Sequence, residues 1–554
     1  MNDIRRTILW VIFGFSMVLL WDKWQVHNGN KAMFFPTSAP AATAAAEGAA
    51  KPPVAGSAAV PTSASSPAAA QLPAAGAVAA PAPRQSFEVT TDVFKLTFDS
   101  EGGSLVKAEL LKYSDVENKD RAVVLLDDSK DRVYVAQTGL IGGGFPTHKT
   151  PMNVVSAPRS LKDGENEISV RFESPDLGGV KLIKTYTLRR GAYDVAVKHE
   201  VQNTGSAAVT PQIYFQLVRD GNKPPGESSF YSTFTGPAVY TDAKKYQKVE
   251  FKDIENGKAD IQKESPNGYV AMVQHYFASA WLLADGIQRD LFMRKVDTNL
   301  YSVGMIATLP SIAPGASQAL DARFYAGPEE EKKLEALSPG LELVKDYGWL
   351  TILAKPLYWL LDKIHGVLGN WGWSIVGLVV LLKAAFFWLN AKAYSSMAKM
   401  KAINPRITEM RERLKDKPQQ MQQEMMRIYR EEKVNPMGGC FPIMIQIPVF
   451  IALYWVLLSS VEMRNAPWIL WITDLSAKDP LYILPIIMTG TSLLQTWLNP
   501  TPPDPMQAKM MWIMPLVFSV MFFAFPAGLV LYWITNNILS IAQQWVINKR
   551  LGVN

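Results

Sequence analysis

Residues 371–391 read WGWSIVGLVVLLKAAFFWLNA, an apolar run interrupted by one formal charge, Lys383. As a helix rising about 1.5 Å per residue it would extend about 30 Å, the thickness of a bilayer's hydrocarbon core. The run therefore predicts a membrane span, and four more follow it at 440–461, 481–498, 511–525 and 528–547. The last two meet at Phe525-Pro526-Ala527-Gly528, where proline and glycine favour a corner. A sixth apolar run, Thr7 to Trp21, stands behind Arg5 and Arg6. A cleaved signal peptide and an uncleaved anchor both begin this way. The uncleaved anchor is favoured, because Asp22-Lys23-Trp24-Gln25-Val26-His27 separates the run from the first small-residue site, Ala39-Pro40-Ala41.

Charge orients these spans. Between the runs at 371–391 and 440–461 lie eleven Lys and Arg residues, from Lys392 to Lys433, whereas the loop from Glu462 to Pro480 holds only Arg464 and Lys478. The positive-inside rule makes the first connection cytoplasmic and the second external. With the N-terminal run the spans number six, so both termini fall inside, beside Arg5, Arg6, Lys549 and Arg550.

Over 554 residues the chain is 48% hydrophobic and 19% charged with a formal net charge of +6, yet the apolar residues gather at the N-terminus and after Trp371. A single soluble domain is excluded by that distribution. One cysteine, Cys440, excludes an intramolecular disulfide and a Cys-cluster metal site. The five histidines (His27, His148, His199, His275, His365) stand singly at no metal-ligand spacing, and no GxxxxGK[ST] phosphate loop occurs. A nucleotide-driven motor is not indicated, and neither metal nor cofactor is expected.

The rest divides by composition. Residues 1–24 form the anchor, and 25–84, dominated by Ala, Pro, Ser and Thr, predict a disordered exported tether. Residues 85–340 alternate apolar and polar side chains in short runs such as Val93-Phe94-Lys95-Leu96-Thr97-Phe98 and Glu167-Ile168-Ser169-Val170-Arg171-Phe172, the period of an antiparallel β-sandwich. Its Asp, Glu and His residues fall on no catalytic spacing and read as solvated faces. Residues 341–369 carry Leu341, Val344, Tyr347, Leu350, Leu353, Leu357, Leu360, Leu361 and Ile364 at helical spacing, with Pro356 as a kink. Two readings fit: an amphipathic helix in the membrane interface, or a helix packed on the sandwich.

Inside the basic connection, 392–435, Met397, Met400, Ile403, Ile407, Met410 and Leu414 recur at steps of three and four, Pro418 restarts the pattern, and Met421, Met425 and Ile428 continue it. That is a helical hairpin with one apolar seam rich in methionine, a flexible side chain suited to varied apolar partners and equally to ordinary helix packing. Its basic outer face fits anionic lipid, ribosomal RNA or plain solvation. Lys383 lies eight residues before Ala391, about 12 Å from the inner end of a straight span. It either snorkels to the headgroups or faces a wet cavity. Polar side chains in other spans favour the cavity: Gln446; Thr489, Thr491, Ser492 and Gln495; Thr535, Asn536, Asn537 and Ser540. No Asp, Glu or His lies within the spans, which leaves a proton relay or an intramembrane Ser/His hydrolase without its base.

Four ordered motifs, Ala393-Tyr394-Ser395-Ser396-Met397-Ala398-Lys399-Met400, Lys433-Val434-Asn435-Pro436-Met437-Gly438-Gly439-Cys440-Phe441-Pro442, Trp471-Ile472-Thr473-Asp474-Leu475-Ser476-Ala477-Lys478-Asp479-Pro480 and Phe525-Pro526-Ala527-Gly528-Leu529-Val530-Leu531-Tyr532-Trp533, resemble the YidC/Oxa/Alb family of membrane protein insertases. The resemblance covers about 371–550, and the layout resembles the Gram-negative form with its large periplasmic domain. It implies a polytopic α-helical membrane protein of six transmembrane helices, with a five-helix insertase core at 370–550 and an all-β periplasmic super-sandwich. It further implies an inner-membrane location with 25–370 in the periplasm. The activity implied is non-enzymatic insertion of nascent membrane proteins, alone or with the Sec translocon. Ribosomes, targeting factors and membrane lipids are the other partners, with no cofactor and no specific DNA binding.

The family's core forms a hydrophilic groove with a basic residue in its first helix. Lys383 takes that position by its offset from Ala393-Tyr394, where many members carry arginine. Lysine keeps the charge and loses the planar fork. With the groove that the resemblance implies, the expected groove residues are Lys383, Gln446, Thr491, Trp533, Asn536 and Asn537 and the lateral apolar slide Ile447, Phe450, Phe518 and Phe522, while the spacing already sets Met397, Met400, Met410, Met421 and Met425 in the cytoplasmic hairpin. The C-terminus lacks the long basic extension of some relatives. The family's exported domain resembles sugar-binding mutarotase-like sandwiches, so a membrane-anchored glycan-binding or glycan-processing protein is a second reading. A small-solute transporter is a third.

Overall fold

A computed structural model describes residues 61, 84–116, 118–225, 233–414, 417–432, 441–499 and 505–550. The N-terminal apolar run, nearly all of the Ala/Pro-rich tether and the stretch from Lys433 to Cys440 lie outside the described residues. The chain divides into two compact units, one ending at Lys345 and the other resuming at Asp346.

The first unit is a sandwich of two nine-stranded sheets. One sheet runs, in order, β1 (Ser86–Thr90), β2 (Phe94–Asp99), β3 (Ser104–Ser114), β4 (Ala122–Asp128), β5 (Val133–Ile141), β10 (Gln212–Asp220), β17 (Leu300–Thr308), β16 (Arg289–Asp297) and β13 (Glu264–Ser265). The other runs β12 (Lys245–Lys248), β11 (Gly236–Thr241), β14 (Tyr269–Gln274), β15 (Phe277–Leu283), β18 (Ser317–Pro328), β9 (Asp194–Asn203), β8 (Val180–Arg189), β7 (Glu167–Glu173) and β6 (Asn153–Ser156). Two short helices, α1 (Phe251–Glu255) and α2 (Glu331–Leu337), complete it. Alternation builds these strands: in β7, Ile168, Val170 and Phe172 turn inward while Glu167 and Ser169 face solvent.

Facing sheets then interdigitate. Phe172 of β7 meets Phe87 and Phe98 across the sandwich, at ring separations of 5.6 and 5.9 Å. Trp281 of β15 packs on Phe215 of β10 and donates its indole N–H to the Gln216 carbonyl at 3.2 Å. Gly103, at φ +57°, passes so close to Phe172 that a Cβ would lie 2.9 Å from its ring.

The second unit is helical: α3 (Thr351–Leu368), α4 (Trp371–Ala385), α5 (Phe387–Arg413), α6 (Pro418–Glu431), α7 (Phe441–Ser459), α8 (Ile483–Leu498), α9 (Pro505–Phe522) and α10 (Ala527–Arg550). The spacing across 341–368 predicts one helix, but the structure breaks it into 3-10 turns at Leu341–Val344 and Gly348–Leu350 before α3 begins. Lys345 is extended and Gly348 has φ +65°, neither of which continues a right-handed helix. On α3, Ala354, Tyr358 and Leu361 are buried while Ile352, Trp359 and Val367 are exposed, leaving apolar side chains on both faces.

The expected straight span at 371–391 is corrected too. It breaks at Phe386, and α4 and α5 diverge by 69°. Phe386 sits at φ −90°, ψ 7°, and the Gln543 amide donates to the Phe387 carbonyl at 3.0 Å, a side chain entering the helical ladder where the chain turns. Among the described residues no single helix is long and apolar enough to cross a membrane by itself. The bent pair α4 and α5 meets that test together, and Gln446–Ser459, Ile483–Leu498 and Ala508–Phe522 are shorter apolar helices.

Candidate functional site

Helix α10 presents a ladder of short polar side chains. At about 100° per residue, Asn536, Asn537, Ser540 and Gln544 occupy roughly one quadrant of its surface. Each reaches a different neighbour. Asn536 Oδ1 accepts from Gln446 Nε2 of α7 at 3.2 Å, and Asn537 Nδ2 donates to Thr491 and Ser492 of α8 at 3.2 and 2.9 Å. Gln544 Nε2 donates to the Leu498 carbonyl and to Asn499 Oδ1 at the end of α8. Ser540 Oγ accepts from Lys383 Nζ of α4 at 2.7 Å and donates to its own Asn536 carbonyl at 2.7 Å.

Lys383 is thus drawn onto α10, and only 9% of it is exposed. The break at Phe386 leaves it two residues from the end of α4 rather than eight from the end of a straight span. Its contact with Ser540 falls thirteen residues along α10 from Ala527, past the middle of that helix. Among the described residues Ser540 is its one hydrogen-bond partner, and no carboxylate pairs with it.

Of the expected groove residues, the structure brings Lys383, Gln446, Thr491, Asn536 and Asn537 into this polar assembly. It puts Trp533 elsewhere, among aromatic rings, 4.6 Å from Phe450 and 5.1 Å from Phe522. By the helical period Trp533 falls on the same quadrant of α10 as Asn536 and Ser540, one turn nearer Ala527, and at that level its neighbours are rings rather than amides. The four slide residues also separate: Ile447 and Phe518 are exposed, whereas Phe522 is buried and Phe450 partly so. Ser492 and Ser540, which the sequence sets among the polar side chains favouring a cavity, complete the assembly together with Gln544, which it does not. The i, i+4 step from Asn536 through Ser540 to Gln544 was the available signal.

At the other end of α4, Asn370 caps the helix by accepting from the Trp373 amide at 3.0 Å, and its side-chain amide donates to the Pro467 carbonyl at 3.0 Å. Gly372 lies under Trp468, where a Cβ would approach the indole to 2.2 Å. The loop carrying Trp471 to Pro480 is anchored by Asp479, which accepts from the Leu481 and Leu484 amides and the Trp471 indole. The Leu475 and Ala477 carbonyls accept from Gly528 and Ala527, pinning this loop to the corner that starts α10. These contacts tie the α4 end away from Lys383 to the loop that follows α7.

In the hairpin, Ile403, Ile407, Met410 and Ile428 are buried together, with Met400, Leu414, Met421, Met425 and Tyr429 packed on them; Met397 is partly buried outside that cluster. Pro418 opens α6, where a missing N–H is harmless. Among the described residues no group of three or more His, Cys, Asp or Glu side chains is placed to hold a metal ion.

A family model described as the YidC periplasmic domain matches residues 86–360, and one described as 60Kd inner membrane protein matches residues 363–553. The chain is 56% identical over 562 residues to the membrane protein insertase YidC of Cupriavidus taiwanensis, covering 99% of this chain and 98% of that protein. It is also 56% identical over 562 residues to the one from Ralstonia nicotianae, covering 100% and 99%. Among solved structures it is similar to an active YidC insertase crystal structure with the first transmembrane domain resolved, at 19% identity and TM-score 0.38, covering 82% of this chain and 91% of that one.

Proposed function

The chain belongs to the YidC family of membrane protein insertases, and from that premise we propose that it inserts membrane proteins by receiving a substrate's polar segment beside Lys383. In this reading the protein spans the inner membrane six times, with both termini cytoplasmic and the sandwich periplasmic. Apolar segments leave sideways past Ile447, Phe450, Phe518 and Phe522. It works alone or with the Sec translocon on chains supplied by ribosomes and targeting factors, and the Met-rich hairpin meets them first. No bond is made or broken.

The observation that carries the reading is the buried, carboxylate-free Lys383 ammonium within a polar assembly drawn from four helices. The physical difficulty is the passage of polar groups through about 30 Å of hydrocarbon, where each charged side chain at the centre costs about 2.5–3.5 kcal/mol on insertion scales. Amides, hydroxyls and one ammonium inside the bundle offer partners partway across, so the dry distance shortens. An acidic tail gains most, because it supplies the missing counter-charge.

Reconstitution in liposomes tests this. The substrate is a single-span protein with a short acidic outer tail, and the variants are Lys383→Ala, Lys383→Glu and Lys383→Arg. Wild type and Lys383→Arg are expected to insert it, and Lys383→Ala and Lys383→Glu to fail while remaining folded. Equal insertion by all four would mean that Lys383 serves only its own solvation.

A further inference from the structure

Lysine has a long, freely rotating stem, and its charge would find water most easily by extending toward the nearest headgroups. The structure holds it against α10 instead. Ser540 Oγ donates to the Asn536 carbonyl at 2.7 Å and is also tied by a side-chain hydrogen bond to Tyr394 of α5. An ammonium only donates, so toward Lys383 Nζ, also at 2.7 Å, the Ser540 oxygen is an acceptor. The neighbouring polar groups on α10 are engaged with other helices: Asn536 Oδ1 with Gln446, and the Asn537 amide with Thr491 and Ser492. Ser540 is the group left to face α4. An ammonium carries three N–H donors, and among the described residues one is used.

We propose that Ser540 is a positioning residue that fixes the Lys383 ammonium against α10 and leaves two of its N–H donors for an incoming substrate carboxylate. A carboxylate arriving there meets a charge already held against α10 and already oriented. The ordering cost of the long lysine side chain is met during folding rather than at each binding event. This deepens the preceding reading and rests on it, since it presumes that the Lys383 charge serves the substrate.

The test compares full-length variants in liposomes with two substrates that differ only in the outer tail, one acidic and one with the matching amides, and reads the ratio of their insertion rates. Ser540→Ala should lower the acidic-to-amide ratio about tenfold, the order expected for one lost hydrogen bond to a charged group. Ser540→Thr keeps a hydroxyl able to bond the same i−4 carbonyl and should restore the ratio. Adding Ser540→Ala to Lys383→Ala should change nothing further, because the residue acts through the lysine. If Lys383→Ala loses the ratio and Ser540→Ala keeps it, the positioning role is overturned and the lysine reading stands. If Ser540→Ala depresses both substrates equally, the serine merely supports the bundle and the proposal is likewise overturned. If Lys383→Ala itself keeps the wild-type ratio, the lysine reading falls and takes this proposal with it.

Discussion

A second buried lysine, within the sandwich, shows what burial does to such a charge. Lys184 on β8 stands directly opposite His199 on β9 in the sandwich core, and both side chains reach the facing sheet. Lys184 donates to the Gly102 and Thr138 carbonyls at 2.6 and 2.7 Å, while His199 Nε2 meets the Thr138 hydroxyl at 2.9 Å. Burial pushes Lys184 from its ordinary 10.5 down to about 7. Burial first, and then the Lys184 charge, hold His199 well below its ordinary range. Between pH 7 and 10.5 the unfolded chain holds a proton that the folded one has released, so stability rises with pH across that window. Below about 6.5 the unfolded histidine gains a proton that the folded one refuses, so stability falls as pH falls. Hydrogen exchange of the β8 and β9 amides in the full chain should therefore show stronger protection at about pH 9 than at neutral pH. Lys184→Met should flatten that rise, whereas an unchanged slope in the variant would assign it to other groups.

Elements differ in how their contacts rank, and the α5–α6 hairpin separates burial from surface charge. Ile407, 1% exposed, sits in its seam, while Arg406 beside it pairs with Glu431 and Glu432 at half-exposed positions. Truncating a buried isoleucine costs about 2–5 kcal/mol, but exposed ion pairs contribute about 0–1. Ile407→Ala should then speed hydrogen exchange throughout α6, with Arg406→Ala close to wild type; comparable loosening in both would show that charge holds the hairpin. Such a seam is legible in sequence, since a single helical period writes it. Strands such as β7 are legible by alternation for the same reason. The bend at Phe386 is not, because it has neither proline nor glycine, and the Gln543 amide that meets the Phe387 carbonyl there lies far along the chain. Nor is the pairing of Lys383 with Ser540, which the helices settle by packing. Trp533 is legible only in part: the helical period puts it on the polar quadrant of α10, but its ring neighbours Phe450 and Phe522 come from other helices and are set by packing.

For the whole molecule, the decisive matter is that each unit has a core of its own. The helical core gathers residues from Tyr347 to Ile534, and the polar ladder draws on residues from Lys383 to Gln544, all within the unit that resumes at Asp346. The sandwich buries its aromatic rings between its own two sheets. A unit with its own core is able to fold without the other. If insertion resides in the ladder, a chain lacking 85–340 should keep more activity toward the acidic-tailed substrate than full-length Lys383→Glu, at equal amounts of folded protein in liposomes. The comparison is demanding, because one variant removes most of the exported mass and the other exchanges a single side chain. Loss of insertion in the truncated chain, with protection of the α10 amides unchanged, would move the activity to the sandwich. The buried lysine would then be a structural feature of the bundle, and the exported domain the place to look for a ligand.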